Sequence, residues 1–400
     1  MRRRRSLMLC GALWIVVLPA FITSAEAQES AGRIPTLYTS SAPMSLKAGQ
    51  WIGSEPLPQS LSLADAAMSV RFVYGAADGV DGSKVLKTSG VVLLPRGASP
   101  AGGWPIIAWA HGTTGIADRC APSVNPRSSR DAKYLSNWLK QGFAIVATDY
   151  QGLGTPGPHP YLHARSEAYS VLDAIRAARV GIPDLANKVL LVGQSQGAGA
   201  AFATAGYAPT YAPDVNIIGT IATGLPNITS SKSNASGDKV DRTIAYVILL
   251  AASASQLNPS LDPSSGLKVA AMPVYTAASQ LCIDELFEKV EQNKLTRNKT
   301  LKPDYRKVYG KLLAAIGYPT RALKSPLFVG TGERDIDVPP KSQLALVREA
   351  CDAGTKVEAH LYAGLDHSGT VNPSFKDSIT FARKVLAGQP INVQCDPTPQ

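Results

Sequence analysis

Charged and aromatic residues are scarce in this chain of 400 residues, and so are histidine and cysteine. Charged residues make up 18% of the sequence and aromatic residues 7%, and there are 5 histidines and 5 cysteines. The low charge does not indicate disorder, because hydrophobic residues reach 45% and provide for a sizeable core. The histidines and cysteines stand at none of the spacings typical of a metal site, so we expect no metal centre.

Long apolar runs are absent beyond the N-terminus. Four arginines, Arg2 to Arg5, precede the apolar run Leu7–Ile22, and the small-residue site Ala25-Glu26-Ala27 follows it. This order is typical of a signal peptide, so we expect residues 1–27 to be removed and the protein to be secreted or periplasmic. An uncleaved membrane anchor is the alternative, which Pro19 and the cleavage site disfavour.

The positive charge of the chain is spread thinly. Removal of the leader takes away four arginines and one glutamate, which lowers the net charge from +10 to +7. The remaining basic residues are scattered without interleaved aromatics, which favours a solvated surface and argues against a nucleic-acid partner. A transient contact with a lipid interface stays open, and so does the oligomeric state.

Four cysteines remain after cleavage of the leader, since Cys10 lies within it. An even number in an exported chain predicts two disulfides, and the residues alone allow three pairings. The four are Cys120, Cys282, Cys351 and Cys395.

Apolar β-rich runs alternate with helix-length segments along most of the chain. This pattern predicts an α/β fold with a mostly parallel central sheet flanked by helices. We expect Ser69–Tyr74 to begin the sheet as an antiparallel edge hairpin. Further strands are predicted at Val85–Leu94, Trp104–Ala110, Phe143–Asp149, Lys188–Gly193, Ile217–Thr223, Pro326–Thr331 and Val357–Tyr362. Helices are predicted at Arg127–Gln141, Ser166–Val180, Gln196–Tyr207 and Pro373–Leu386.

The alternation stops between about Leu225 and Tyr318. Helical pieces are predicted there at Thr243–Gln256, Asp284–Gln292 and Tyr305–Ile316, and the first is apolar on every side. We interpret residues 225–320 as a helical cap inserted into a core formed by residues 28–224 and 321–400. Ordinary surface helices are the alternative, but a connection this long is usually functional.

The motif Gly193-Gln194-Ser195-Gln196-Gly197 matches the G-x-S-x-G nucleophile elbow. A predicted buried strand precedes it and an Ala- and Gly-rich predicted helix follows, which is the context that the motif requires. A side chain at either outer glycine would clash in so tight a turn. We therefore predict Ser195 to be a nucleophile.

A serine nucleophile needs a base, and the base needs an orienting acid. In this fold the acid and then the histidine follow the serine along the chain. His367 lies in a loop just before the last helix and is the predicted base, whereas His360 lies within a strand. For the acid we choose Asp335, which follows a predicted strand, with Asp337 second and Glu333 third. Asp366, next to the histidine, is given a role in the local turn.

Two backbone N–H groups are expected to stabilise the oxyanion. One is that of Gln196, directly after the nucleophile. The other should come from the loop 111–115, where Gly112 allows close approach of the backbone and Thr113 is the predicted donor, with its hydroxyl as an additional group. His111 is interpreted as a structural residue of this loop. The turn that begins at Asp149 is interpreted as a brace for the elbow rather than a substrate contact.

With these residues in place, the chain resembles the secretory lipase family. The resemblance rests on the leader, the loop 111–115 with the Arg-Cys-Ala-Pro of 119–122, segment 149–157, the elbow, segment 335–340 and Asp366-His367, and it includes the arm 38–57. It implies an α/β-hydrolase fold with a helical cap, a Ser–Asp–His triad at the matching positions, and the pairings Cys120–Cys282 and Cys351–Cys395. The elbow departs from the family in Gln194 and Gln196, where an aromatic residue and glycine are common.

These residues predict an exported carboxylic ester hydrolase that works through an acyl-enzyme on a small-molecule or lipid ester. The reaction calls for no metal or organic cofactor. A serine peptidase or amidase with the same triad is one alternative, and a binding protein without activity on the same fold is the other. The residues do not decide between lipase and esterase.

Overall fold

A computed structural model describes residues 31–227 and 237–400, apart from 42 and 44. The predicted leader, residues 1–27, lies outside the described residues. None of the helices within the described ranges is long and apolar enough to cross a membrane.

Nine strands form one sheet. They are β1 Trp51–Pro56, β2 Ala66–Ala77, β3 Val85–Pro95, β4 Trp104–Ala110, β5 Ala144–Thr148, β6 Leu185–Gln194, β7 Ile217–Thr223, β8 Leu327–Gly332 and β9 Val357–Tyr362. Their order across the sheet is β1-β2-β3-β5-β4-β6-β7-β8-β9. Strands β1, β2 and β3 pair antiparallel at one edge, and β3 pairs antiparallel with β5. The remaining six strands, β4 to β9, are parallel to one another. The predicted α/β architecture with a mostly parallel sheet is confirmed.

The described helices are α1 Thr36–Thr39, α2 Ser129–Lys140, α3 Ala164–Gly181, α4 Gln196–Tyr211, α5 Ile244–Leu257, α6 Met272–Ala277, α7 Ile283–Gln292, α8 Arg297–Thr300, α9 Tyr305–Val308, α10 Gly310–Ala315, α11 Pro340–Asp352 and α12 Phe375–Leu386. Helices α3, α4 and α11 pack on one face of the sheet. Helices α2 and α12 pack on the other face. Both faces of the parallel strands are therefore buried, as their continuous apolar sequences require.

Two expectations about elements are wrong, and one long helix was not expected. The sheet begins one strand earlier than predicted, because β1 lies outside Ser69–Tyr74 and pairs with β2. The predicted helix Tyr305–Ile316 is two short helices, and Gly310, a poor helix former, stands at the start of the second. Helix α11 was not predicted at all, although Pro340 suits the first position of a helix.

The chain between β7 and β8 contains α5 to α10 and none of the nine strands in its described part. These helices bury a hydrophobic cluster separate from the two sheet layers. The cluster contains Ile248 and Leu249 of α5, Leu286 and Val290 of α7 and Leu312 of α10. We call this helical region, residues 237–320, the cap.

Candidate active site

Ser195 lies in a strained turn between β6 and α4. Its backbone angles, φ 58° and ψ −121°, are ones that residues with side chains rarely adopt. The flanking glycines are sterically required. A Cβ at Gly193 would lie 2.0 Å from the carbonyl oxygen of Gly197, and a Cβ at Gly197 would lie 1.9 Å from that of Ala110. The turn leaves the Ser195 side chain half-buried at the carboxyl edge of the sheet.

His367 and Asp335 meet at the same edge. The Nδ1 atom of His367 lies 2.7 Å from Oδ2 of Asp335, and both side chains are almost fully buried. An ionised carboxylate only accepts, so Nδ1 carries the proton in this pair and Nε2 is left as the basic nitrogen. Nε2 is buried without a hydrogen-bond partner among the described residues. His367 and Ser195 line the same cavity.

Asp335 is held by two further donors. Its Oδ1 accepts from the backbone N–H of Val338 at 2.8 Å, and its Oδ2 accepts from Nε2 of Gln343 at 2.9 Å. Gln343 is on α11, the helix that sequence reasoning missed, and it is fully buried. These two hydrogen bonds fix the orientation of the Asp335 carboxylate independently of His367.

The other acids considered for this role point elsewhere. Asp337 accepts from Arg242 at 2.9 Å and from Tyr246 at 3.0 Å, both in the cap. Glu333 accepts from the N–H of Gly364 at the surface. Asp366 accepts from the N–H of Gly369 at 2.7 Å, which is a local turn contact.

Gly224, just after β7, packs directly against the His367 ring. Its φ is +63°, and a Cβ there would lie 2.6 Å from Cε1 and 2.8 Å from Nδ1 of His367. Sequence reasoning gave this glycine no role, because it lies 143 residues from the histidine.

We expect Gly224→Ala to displace His367 and to lower kcat by about 10²-fold or more, since a misplacement of about 1 Å has that effect. Steady-state kinetics on a p-nitrophenyl ester measure the change. Gly388→Ala is the matched control, because Gly388 has a similar φ of +66° and nothing within 4 Å of the added Cβ. Equal losses in the two variants would mean that backbone strain, not the histidine contact, is responsible.

The loop after β4 brings Thr113 to the elbow. Gly112 lies so close that a Cβ on it would be 2.7 Å from Oε1 of Gln194 and 3.8 Å from Cβ of Ser195. The backbone N–H of Thr113 donates to no hydrogen bond within the described residues. The side chain of Thr113 is half-buried, and its Oγ1 lies 2.8 Å from the hydroxyl of Tyr161.

Gln196 begins α4, so its N–H has no partner within the helix. Its side-chain amide is buried and held by Glu167 and His159. Nε2 donates to Oε1 of Glu167 at 2.7 Å and lies 3.4 Å from Nε2 of His159. Nδ1 of His159 lies 2.8 Å from the carbonyl oxygen of Gln151, so Nδ1 carries the proton and Nε2 accepts.

Burial sets the protonation of this network. It lowers the pKa of His159 to about 4, although the hydrogen bond to Gln151 acts in the opposite direction. It raises the pKa of Glu167 to about 8, against the opposing hydrogen bonds from Gln196 and the N–H of Leu162. Both side chains are therefore neutral at pH 7. Neither residue was singled out from the sequence, because a glutamate in the first turn of a helix with several other charged residues gives no signal.

The turn at Asp149 has structural contacts. Its carboxylate accepts from the hydroxyl of Ser89 at 2.7 Å, from the N–H of Ser123 at 2.9 Å and from the hydroxyl of Ser123. His111 lies beside it, with Nε2 3.2 Å from the carbonyl oxygen of Asp149. His360 is in β9 and contacts Glu358 and Gln400, away from Ser195.

Cys120 is bonded to Cys282 and Cys351 to Cys395, as the family resemblance implies. The first bond joins the segment after the Thr113 loop to the start of α7 in the cap. Next to it, the N–H of Ile283 donates to the carbonyl oxygen of Thr114 at 2.9 Å. The cap is thus attached to the loop that carries Thr113.

Ser195 lines two cavities. The first, of about 580 Å³, lies between the cap and the core, and its apolar wall comes from Ile244, Val247, Leu250, Leu301 and Leu313. The second, of about 480 Å³, is lined by His367 and by the polar residues Asn125, Arg130, Asp131, Asp284 and Ser368. Both volumes are within the range of small-ligand sites.

Residues 127–392 match the model of the family described as secretory lipase. This stretch covers more than half of the chain and contains Ser195, Asp335 and His367. The chain belongs to the secretory lipase family. A segment of this chain is 27% identical, over 191 residues, to a protein named lipase A from Moesziomyces aphidis. Another segment is 29% identical, over 143 residues, to a probable inactive lipase from Mycobacterium tuberculosis. The matches take up 44% and 32% of this chain but only 39% and 31% of those relatives.

Solved structures show the same fold over most of this chain. Lipase A of Candida antarctica superposes with a TM-score of 0.70 at 20% identity, covering 89% of this chain and 86% of that one. The rice cell wall degrading esterase LipA from Xanthomonas oryzae superposes with a TM-score of 0.67 at 20% identity, covering 86% of this chain and 100% of that one. The fold is therefore that of the α/β-hydrolases.

Proposed function

We propose that this chain hydrolyses carboxylic esters, with Ser195 as nucleophile, His367 as base and Asp335 as the acid that orients the base. The observation that carries the proposal is the 2.7 Å contact between His367 Nδ1 and Asp335 Oδ2, which leaves Nε2 as the free basic nitrogen in the cavity of Ser195. Ser195 does not donate to Nε2 in this structure. Such contacts often tighten only when substrate is bound.

In the proposed reaction, Ser195 Oγ attacks the ester carbonyl carbon while its proton passes to His367 Nε2. The backbone N–H groups of Thr113 and Gln196 stabilise the oxyanion that forms. Collapse of the tetrahedral intermediate breaks the bond to the alcohol oxygen, which takes the proton from His367. Water then gives a proton to His367 and attacks the acyl carbon. Collapse of this second tetrahedral intermediate breaks the bond to Ser195 Oγ, which takes the proton back from His367 as the carboxylic acid leaves.

The two cavities indicate how an ester would lie. The apolar wall under the cap suits an acyl chain, which gains free energy when it leaves water. The more polar of the two cavities, which His367 lines, suits the leaving alcohol, because His367 must reach the alcohol oxygen to protonate it. A lipid ester with an apolar acyl chain fits this division, and the proposed substrate is of that class.

Initial rates on p-nitrophenyl esters of two to sixteen carbons, beside aminoacyl and prolyl p-nitroanilides, test the proposal. We expect ester turnover to exceed anilide turnover, and a p-nitrophenyl alkylphosphonate to leave its adduct on the peptide that contains Ser195. Faster anilide turnover would favour the amidase alternative. Absence of both turnover and adduct would favour a protein without activity, as the name of the mycobacterial relative suggests for that protein. An adduct on another serine would refute the site.

Export to the periplasm or the medium is also proposed. It rests on the predicted leader and is supported by the family and by the two disulfides, which persist in oxidising compartments. N-terminal sequencing of protein recovered outside the cytoplasm tests it, with Gln28 as the expected first residue.

A further inference from the structure

Tyr161 belongs to the core chain but packs in the cap. It lies between β5 and α3, and its ring is buried in the hydrophobic cluster formed by α5 to α10. Its backbone N–H donates to Oγ of Ser253 at 3.0 Å, and that hydroxyl donates to the carbonyl oxygen of His159 at 2.8 Å. Ser253 is a fully buried residue of α5. The position of Tyr161 is therefore set by the cap.

The hydroxyl of Tyr161 reaches back to the loop of the proposed oxyanion hole. It lies 2.8 Å from Oγ1 of Thr113, and within the described residues each of these two oxygens has the other as its hydrogen-bond partner. Burial raises the pKa of Tyr161 far above its ordinary value, although the bond to Thr113 acts against this. The phenol therefore keeps its proton at any pH at which the protein would be assayed.

The direction of this hydrogen bond follows from the burial of the two residues. Tyr161 also lines the cavity under the cap but is only 1% exposed, so if it accepted from Thr113 its own proton would have almost no access to water and no acceptor among the described residues. That arrangement costs about 1–3 kcal/mol. Thr113 is half-buried and faces both cavities, where its proton can meet water or a substrate. Either oxygen could donate in this contact, and the deeper burial of Tyr161 favours Tyr161 as the donor, which leaves Thr113 with a free O–H.

We propose that Tyr161 is a positioning residue of the oxyanion hole, which turns the Thr113 hydroxyl so that it becomes a third donor beside the two backbone N–H groups. This inference rests on the proposed ester hydrolysis and deepens it. A donor held in place by a buried phenol needs no reorientation when the oxyanion forms, which is the condition for a large electrostatic contribution. The cap contributes by holding Tyr161 through Ser253.

The test is a double-mutant cycle of Tyr161→Phe and Thr113→Val on a p-nitrophenyl ester. Thr113→Val keeps the backbone N–H and removes the hydroxyl, so we expect kcat to fall by about 10²-fold, the effect of losing one oxyanion donor. Tyr161→Phe keeps the ring and the Thr113 hydroxyl but removes its anchor, so we expect about a tenfold fall with KM unchanged. The double variant should be no slower than Thr113→Val alone.

Three controls separate positioning from a general structural effect. Tyr309→Phe removes one hydroxyl from a buried cap tyrosine, bonded to the carbonyl oxygen of Pro263, and should leave kcat unchanged. Thr113→Ser retains the hydroxyl, so adding Tyr161→Phe to Thr113→Ser should lower kcat about as much as it does in the wild type. The rate of phosphonylation at Ser195 should fall in parallel with kcat, because the adduct places an oxygen in the same hole.

Several outcomes would overturn the inference. One is that Tyr161→Phe has the same kinetics as Tyr309→Phe, or raises KM with kcat intact. Another is that the losses of Tyr161→Phe and Thr113→Val add in the double variant. A third is that Thr113→Val is as fast as wild type. If Tyr161→Phe does not fold, the comparison of Thr113→Val with Thr113→Ser still decides whether the Thr113 hydroxyl is a third donor, and equal rates in the two would overturn the inference. An inert wild type that is not phosphonylated contradicts the proposed function and this inference together, whereas an active wild type with an unaffected Tyr161→Phe contradicts this inference alone.

Discussion

Asp335→Asn is expected to lower kcat by about 10⁴-fold, as loss of the correct histidine tautomer does in a serine triad. The carboxylate accepts from three donors: Val338 N–H on Oδ1, and Gln343 Nε2 and His367 Nδ1 on Oδ2. Asparagine has a single side-chain oxygen, so it can replace either Oδ1 or Oδ2 of the carboxylate but not both. If the asparagine oxygen accepts from Val338, the NH₂ group faces His367 Nδ1 and the ring proton moves to Nε2. A protonated Nε2 cannot accept the proton of Ser195.

Asp337→Asn is the matched control, since the same chemical change is made two residues away. Asp337 bonds to Arg242 and Tyr246 of the cap and not to His367. We expect kcat to change by less than about tenfold, because these are contacts of the cap and not of the reacting groups. The measurement is kcat and KM for both variants on one p-nitrophenyl ester, with thermal unfolding to show that each is folded. A larger loss in Asp337→Asn would make Asp337 the acid of the triad.

The features that the sequence predicts most directly are local ones. The elbow could be read because its strand, turn and helix are adjacent in the chain, and the overlaps at Gly193 and Gly197 show why no other residue fits there. His367 could be chosen because strand and helix patterns bracket it. Ranking Asp335 above Asp337 was harder, since both follow the same strand and only their side-chain partners distinguish them.

The features that were missed depend on contacts between distant segments. Tyr161, just before α3, and Glu167, in the first turn of α3, bond to the proposed oxyanion residues, and nothing in their own neighbourhood indicates this. Gly224 matters only because the His367 ring packs on it. Strand β1 was missed because its exposure does not alternate regularly, so no period of two marks it.

Glu167→Gln is expected to change the pH dependence of stability by several kcal/mol. Burial raises the pKa of Glu167 from its ordinary 4.5 to about 8, so between these pH values the folded protein holds a proton that the unfolded chain releases. The stability that this proton provides is complete below about pH 4.5 and is lost as the pH rises through about 8. A tenfold change in proton affinity is worth about 1.4 kcal/mol, so the whole loss is about 5 kcal/mol.

Glutamine mimics the protonated carboxyl, because its oxygen can still accept from Gln196 and from the N–H of Leu162. It does not titrate, so the variant should match wild type near pH 5 and exceed it by several kcal/mol near pH 9. Urea unfolding from pH 5 to 9 measures the difference, in which the contributions of other titrating groups cancel. Glu288→Gln, the same change at an exposed position on α7, should run parallel to wild type. A Glu167→Gln curve that also runs parallel would mean that Glu167 is already ionised in the folded protein at neutral pH, and that a buried carboxylate, not a carboxylic acid, holds Gln196.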